Sequence, residues 1–300
     1  MKATKKIVGA AVALVSAVAL SAGTTFAWFA MNDTATATGL QVTATTPKNL
    51  AIEAGYKASV SDVTKTTIAM SGGNLTEMKP VAISTSKPET GATIADGSDS
   101  SGAVATAGAL YALDATYSSD SNKPTAGTPG TATGYTAVGE SEIDSTGSYF
   151  KWKSGGATTT GEVASLTGYV AGYNMTLANS GVAVDVKAEV EVTLNTTDTT
   201  YTFLRTGFLV GVPGDTSTTY TFYSIANSGS NALSQGTTTN NKFTYTDLIK
   251  SFKANSVVTI TFLVWFDGND TDCYTNNALT PGQLTVGITY TAAAAAGAGA

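Results

Sequence analysis

The sequence predicts an all-β chain folded as an antiparallel β-sandwich, and three observations predict it. Residues 182–194 alternate, with Val184, Val186, Ala188, Val190, Val192 and Leu194 against Asp185, Lys187, Glu189, Glu191 and Thr193; this is the period of a strand with one dry and one wet face. Runs rich in Val, Ile, Tyr and Phe recur between Thr-, Ser- and Gly-rich turns, with hardly any helical periodicity. Near the end, Val258, Ile260, Phe262, Val264 and Phe266 share one face while Leu263 and Trp265 share the other, which predicts a central strand covered on both sides.

Taken in order, residues 38–44, 50–54 and 149–153 are predicted strands. Tyr169, Ala171, Tyr173, Met175 and Leu177 alternate with smaller or polar partners, and Asn179-Ser180-Gly181 then reads as the turn of a hairpin with 182–194. Strands at 203–212 and 220–225 come next, whereas 245–252 reads as one short helix. Leu284, Val286, Ile288 and Tyr290 make a last, half-buried strand. Residues 84–147 are dominated by Ser, Thr, Gly, Ala and Pro with scattered apolar residues such as Leu110, Tyr111 and Leu113. So long a stretch is uncommon as a bare loop; it is either an insertion with short strands of its own or a surface excursion. No repeat of fixed period is present.

Composition narrows the chemistry. Of 300 residues 42% are hydrophobic and 13% charged, enough for a core of ordinary size. The chain carries 16 basic and 22 acidic residues; without Lys2, Lys5 and Lys6 it carries 13 against 22, a net charge of −9. Such a surface repels phosphate backbones, and Arg205 is the sole guanidinium for bidentate phosphate contact, so nucleic acid is not an expected partner. One cysteine, Cys273, cannot form an internal disulfide. Its position directly after a predicted strand favours burial over an intermolecular bridge. With no histidine, His-Glu-x-x-His, Ser-His-Asp and Cys-His chemistry are excluded. No catalytic residue is assigned, and the chain is not expected to be an enzyme.

The amino terminus reads as an export signal. Lys2, Lys5 and Lys6 precede an uncharged run over 7–20, and Thr25 and Ala27 place small residues at the −3 and −1 positions of a signal peptidase site. The run falls short of the roughly 20 residues that span a bilayer, so cleavage between Ala27 and Trp28 is expected rather than an uncleaved anchor, with membrane contact only transient. The mature protein then works outside the cell or at its surface.

The residues around and beyond the cleavage site carry a resemblance. Thr25-Phe26-Ala27-Trp28-Phe29, then Asn32-Asp33 and the Thr/Ala-rich segment ending Gly39-Leu40-Gln41-Val42, resembles the amino-terminal signature of the TasA/camelysin family of exported biofilm-matrix fibre proteins of Gram-positive bacteria. A second match is Val264-Trp265-Phe266-Asp267-Gly268-Asn269-Asp270-Thr271-Asp272-Cys273, which looks like the carboxy-terminal element of TasA-like proteins of anaerobic Firmicutes. The middle, from about 83 to 165, is not matched. The resemblance implies a jelly roll, and assembly by strand donation. Freed by cleavage, the segment containing Trp28, Phe29, Met31, Asn32, Asp33, Thr34, Thr36 and Thr38 completes the sheet of the next copy in a head-to-tail homopolymer, with accessory matrix proteins as further partners. The segment lacks proline and carries one charge, Asp33, yet the same residues also suit a first strand of their own domain. Camelysin-type relatives have been labelled metallopeptidases, which the absent histidines disfavour.

Two further readings stay open. Asp267, Asn269, Asp270 and Asp272 crowd oxygen ligands into one loop, a candidate calcium site; but the spacing is not that of an EF-hand, and a tight turn selects the same residues. No other cofactor is implied. A monomeric surface adhesion module is the alternative function, with the 84–147 loops contacting carbohydrate or protein and Tyr135, Tyr149 and Trp152 as stacking surfaces. Several Asn-x-Thr triplets, such as Asn74-Leu75-Thr76, are what a Thr-rich chain contains by chance. The layout is thus a signal peptide at 1–27, an N-terminal donor strand at 28–44, a sandwich at 45–291 with the insertion at 84–147, and an Ala/Gly tail at 292–300 that is too short to span a membrane and has no Leu-Pro-x-Thr-Gly sorting signal. Mass spectrometry of the exported protein should find Trp28 first. A mature start beyond Gly39 would remove the proposed donor.

Overall fold

A computed structural model describes residues 40–47, 49–72, 79–85, 102–104, 110–119, 121, 132–143, 150–153, 157–159, 161–194, 204–213, 218–225, 241–267 and 284–295. The strands are β1 (Leu40–Thr45), β2 (Leu50–Ala54), β3 (Thr67–Gly72), β4 (Ala82–Ser84), β5 (Gly102–Val104), β6 (Tyr111–Tyr117), β7 (Ala132–Ile143), β8 (Phe150–Trp152), β9 (Ala157–Thr159) and β10 (Ala164–Leu166). They continue with β11 (Val170–Asn179), β12 (Val184–Leu194), β13 (Leu204–Pro213), β14 (Thr218–Ile225), β15 (Asn241–Phe252), β16 (Ser256–Phe266) and β17 (Leu284–Ala294). Among the described residues the one helical element is a short 3-10 turn, Val60–Asp62.

The strands form a β-sandwich. One sheet has five strands in the order β15-β12-β17-β1-β3; the facing sheet has eight, β5-β14-β13-β16-β11-β10-β9, with β2 also paired to β11. Leaving aside the flanking strands, β15-β12-β17-β1 opposite β14-β13-β16-β11 is the strand order of a jelly roll. Pairing is antiparallel throughout except that β1 runs parallel to β17. The facing sides meet in an aromatic core: Phe208 on β13 lies 4.7 Å from the Tyr245 ring on β15 and 5.1 Å from Phe262 on β16. Tyr290 on β17 donates its hydroxyl to Met175 Sδ on β11 at 3.1 Å.

Sequence dictates which strands have one dry face and which two. In β12, Val184, Val186, Ala188, Val190 and Val192 are buried while Lys187 is exposed and Asp185, Glu189 and Glu191 are half-buried. In β11 every residue is buried, and β16 is buried from Ile260 onward. The second cover is the stretch expected to be an insertion. Residues 84–147 supply β5, which extends the eight-stranded sheet beside β14, and β6 and β7, which build a four-stranded sheet in the order β4-β6-β7-β8. That third sheet buries Leu110, Leu113, Phe150 and Trp152. It is tied to the outer face of the sandwich where Asn174 Nδ2 donates to the Phe150 carbonyl at 3.1 Å, and where the Val81 amide donates to the Phe266 carbonyl at 2.8 Å. On this face the rings of Phe222 and Tyr220 lie across β13, and a Cβ at Gly207 or Gly211 would come within 2.8 or 2.5 Å of them. Glycine is what lets the rings lie there.

Two expectations fail for identifiable reasons. β11 and β12 are not a hairpin: β11 pairs with β16 and β2, β12 with β15 and β17, in opposite sheets. The turn at 179–183 is a crossover between layers. Asn179 holds it, accepting from the Gly181 amide at 2.9 Å and donating to the carbonyls of Val182 at 2.7 Å and Phe252 at 2.9 Å. Residues 245–252 are not a helix but part of β15. Tyr245, Leu248, Ile249 and Phe252 are the buried residues there, at a spacing that suits a helix face. β-bulges produce it: Val184 pairs with Phe252, Val186 with Ile249 and Ala188 with Tyr245, so two-residue steps on β12 face steps of three and four on β15. Ser251 adopts φ 50° within the bulge, its amide donating to Asp185 Oδ1 at 2.7 Å. The tail also begins later than expected, since β17 continues to Ala294 and the Ala295 amide donates to the Ala183 carbonyl at 3.3 Å.

Because Phe262 is fully buried between the sheets, Phe262→Ala should cost about 3–5 kcal/mol, whereas Lys187→Ala on the wet face of β12 should stay within about 0.5 kcal/mol. Urea denaturation of the two variants checks this; equal losses would contradict the register.

Candidate assembly site

Leu40, the first of the described residues, lies in mid-sheet. Leu40 is opposite Gly72 of β3, and Gln41 is opposite Thr285 of β17, so both sides of β1 are occupied from its first residues. The Leu40 side chain is fully buried, and its carbonyl accepts from Tyr173 Oη of the facing sheet at 2.6 Å. Burial pushes the Tyr173 phenol well above its ordinary value, which favours the protonated, hydrogen-donating form. Of the segment read as a donor strand, the part from Leu40 onward therefore belongs to this chain's own sheet, because Leu40, Val42 and Ala44 are apolar and fill its core. The cleavage pair Ala27 and Trp28, and the assembly residues Phe29, Met31, Asn32, Asp33, Thr34, Thr36 and Thr38, lie outside the described residues.

The acidic loop is described only at its root. Asp267 directly follows β16 and is 1% exposed; its Oδ2 accepts from Nη2 of Arg205, itself 3% exposed, at 2.8 Å. A buried carboxylate needs such a partner. Asp267 also bridges to Val81, where the third sheet begins, so the ion pair sits at the junction of β13, β16 and the outer layer. Asp267 thus makes a buried structural pair through Oδ2. Asn269, Asp270, Asp272 and Cys273 lie outside the described residues, and among those described no three His, Cys, Asp or Glu side chains group to hold a metal. Sequence alone did not assign Arg205 this role; the signal available was a lone arginine inside an apolar run.

The stacking aromatics fare differently. Trp152 is buried at 4% exposure with Phe150 edge-on at 5.3 Å, so it supports the third sheet and offers no ring to a ligand. Tyr135 on β7 is half-buried, and Tyr149 lies outside the described residues.

No family model matches the chain, and no curated protein matches it. Among solved structures, the crystal structure of the major pilin from Streptococcus pyogenes aligns with a TM-score of 0.11 at 10% identity, over 87% of this chain and all of that one. So low a score carries no argument about fold or function.

Removing one partner of the buried pair leaves the other charge uncompensated, so Asp267→Ala should cost about 3–5 kcal/mol, and replacing both residues with Leu and Met far less. A double-mutant cycle measured by urea denaturation checks this; additive losses would show that the two groups do not act as a pair.

Proposed function

We propose that this protein is an exported structural subunit that polymerises head to tail into extracellular fibres of a biofilm matrix or surface layer, each copy donating the segment ahead of Leu40 to the next. The observation that carries the reading is the placement of β1. Its two neighbours in the sheet are β17 and β3 of the same chain, so β1 itself is an internal strand, and the reading assigns donation to the residues ahead of it, the segment at 28–39. That segment holds Trp28, Phe29, Met31 and alternating Thr and Ala, with no proline and a single charge, a composition suited to strand addition. A head-to-tail contact of this kind does not close on itself, and open fibres result. The amino-terminal pattern at 1–27 supports export, and the absence of histidine argues against a camelysin-like protease. The adhesion alternative loses one of its three proposed stacking rings with Trp152 buried.

Deleting residues 28–38 from a protein that begins at Trp28 should leave a β-rich monomer that melts cooperatively and forms no fibres, because Leu40 onward still supplies β1. Circular dichroism melts with negative-stain microscopy test this. Normal fibres from the truncated protein would contradict strand donation through this terminus.

A further inference from the structure

β1 and β17 form the one parallel ladder among the described strands, and they are the first and the last of those strands. Their register runs from Gln41↔Thr285 to Thr45↔Thr289. Because the two run the same way, Leu40 lies at the end of the sheet where β17 begins, whereas Ala294, at the other end of β17, is paired with Val184. There the Ala295 amide donates to the Ala183 carbonyl. Leu40 and Ala295 are therefore separated by the length of β17, about 30 Å at roughly 3.3 Å per residue, and the line joining them follows the strand axes. Neither strand is at an edge. β1 has β3 on its other side, from Leu40↔Gly72 to Thr45↔Thr67, and β17 has β12, from Leu194↔Leu284 to Val184↔Ala294. Side chains hold them as well: Leu40, Val42, Ala44, Val286, Ile288 and Tyr290 are buried in the core, and Tyr173 of the facing sheet donates to the Leu40 carbonyl.

We infer that the fold has a mechanical function: it carries tension applied between the residues ahead of Leu40 and the carboxyl-terminal end of β17, and the β1–β17 ladder is the clamp that bears it. Pulled from those two points, β1 is drawn toward its start and β17 toward its end, so the neighbouring strands are driven past each other along their own axes. Backbone hydrogen bonds loaded in this way share the force and give way together, and the close-packed side chains of both strands must slide past their neighbours at the same moment. The same bonds loaded from one end open one after another. First and last strands lying side by side in antiparallel register would be loaded in that second way, since their free ends would meet at one end of the sheet. The chain between the two strands, from β2 to β16, is drawn out only after the ladder yields. The third sheet and the Arg205–Asp267 pair are shielded by this order of events. The inference goes beyond the assembly reading and does not rest on it, because any attachment made ahead of β1 and beyond β17 loads the same ladder.

Forced unfolding reads the barrier to unfolding along the direction of pull, so the test pulls one fold in two directions. In the first, single molecules of the protein that begins at Trp28 are held in optical tweezers by peptide tags at their two termini. In the second, the carboxyl-terminal tag is kept and the other handle is attached at Val182, next to Ala183. The Val182 side chain is 70% exposed, and Val182→p-azidophenylalanine supplies a coupling group for which Cys273 does not compete. Val184 and Ala294 face each other, so this second pair of handles opens β17 from β12 one pair at a time. Expected at equal loading rate is an end-to-end unfolding force several-fold above the force from Val182, with the same urea midpoint for both proteins. The first end-to-end step should release the whole of 40–295, roughly 90 nm of chain at about 3.5 Å per residue. An end-to-end force no higher than the force from Val182, or end-to-end traces that begin with short steps at low force, would overturn the clamp. A Val182 variant that does not fold would be replaced by one labelled at Ser180, exposed in the same turn. Single molecules form no fibres, so failure of the clamp is read separately from failure of strand donation.

Discussion

Double-sided burial of the eight-stranded sheet is the constraint on which the rest of the structure depends. Every residue of β11, and β13 from Leu204 to Gly211, is buried, so no backbone or side-chain polar group there can be left to water. The buried polar side chains of β11 accordingly find one another or the backbone, whereas Trp265 Nε1 on β16 is buried without a hydrogen-bond partner. Thr261 donates to Asn174 at 2.7 Å, Asn174 donates to Phe150, and Thr176 donates to the Gly55 carbonyl at 2.8 Å. The one guanidinium on β13 is paired with Asp267. A third layer is obligatory under this constraint, since exposing Trp265, Leu263, Leu209 and Phe222 together would leave a large apolar patch on the surface.

The five-stranded sheet answers to a different demand. Its outer face is polar, with Thr, Lys and Glu alternating against the buried Val and Ile of β12 and β17. At one edge β15 is contorted by bulges, with Phe252, Ile249 and Tyr245 still reaching the core. At the other β3 lies in regular register. Between them, β1 takes the chain into mid-sheet, pinned at its first residue by Tyr173 from the facing layer. The parallel run of β1 along β17 belongs with this entry.

Much of the architecture was legible in the sequence wherever alternation or uniform apolarity survives unbroken, as in β12 and β16. The errors arise where two structures share one pattern. A bulged strand with buried Tyr245, Leu248, Ile249 and Phe252 reproduces the spacing of a helix face, and single-chain periodicity cannot separate them without the partner β12. Asn179-Ser180-Gly181 suits a hairpin turn as well as a crossover, and what decides is the set of distant carbonyls that Asn179 reaches, at Phe252 and Lys253. The third sheet was half legible: Leu110 and Leu113 mark its core, but the residues they cover lie far along the chain in β11 to β16. Of the site, a strand at 38–44 was readable, and β1 occupies Leu40–Thr45; the Arg205–Asp267 pair was not, since the two residues are brought together only by the pairing of β13 with β16.

The central claim is that copies join through the segment ahead of Leu40, and amide hydrogen exchange tests it most directly. Protein in the monomeric state and in fibres would be labelled under identical conditions and digested to peptides spanning 28–39 and 170–179. Expected is slower exchange of 28–39 in fibres than in the monomer, as its amides acquire partners on a second copy, with 170–179 unchanged. Fibres in which 28–39 exchanges as it does in the monomer would contradict it.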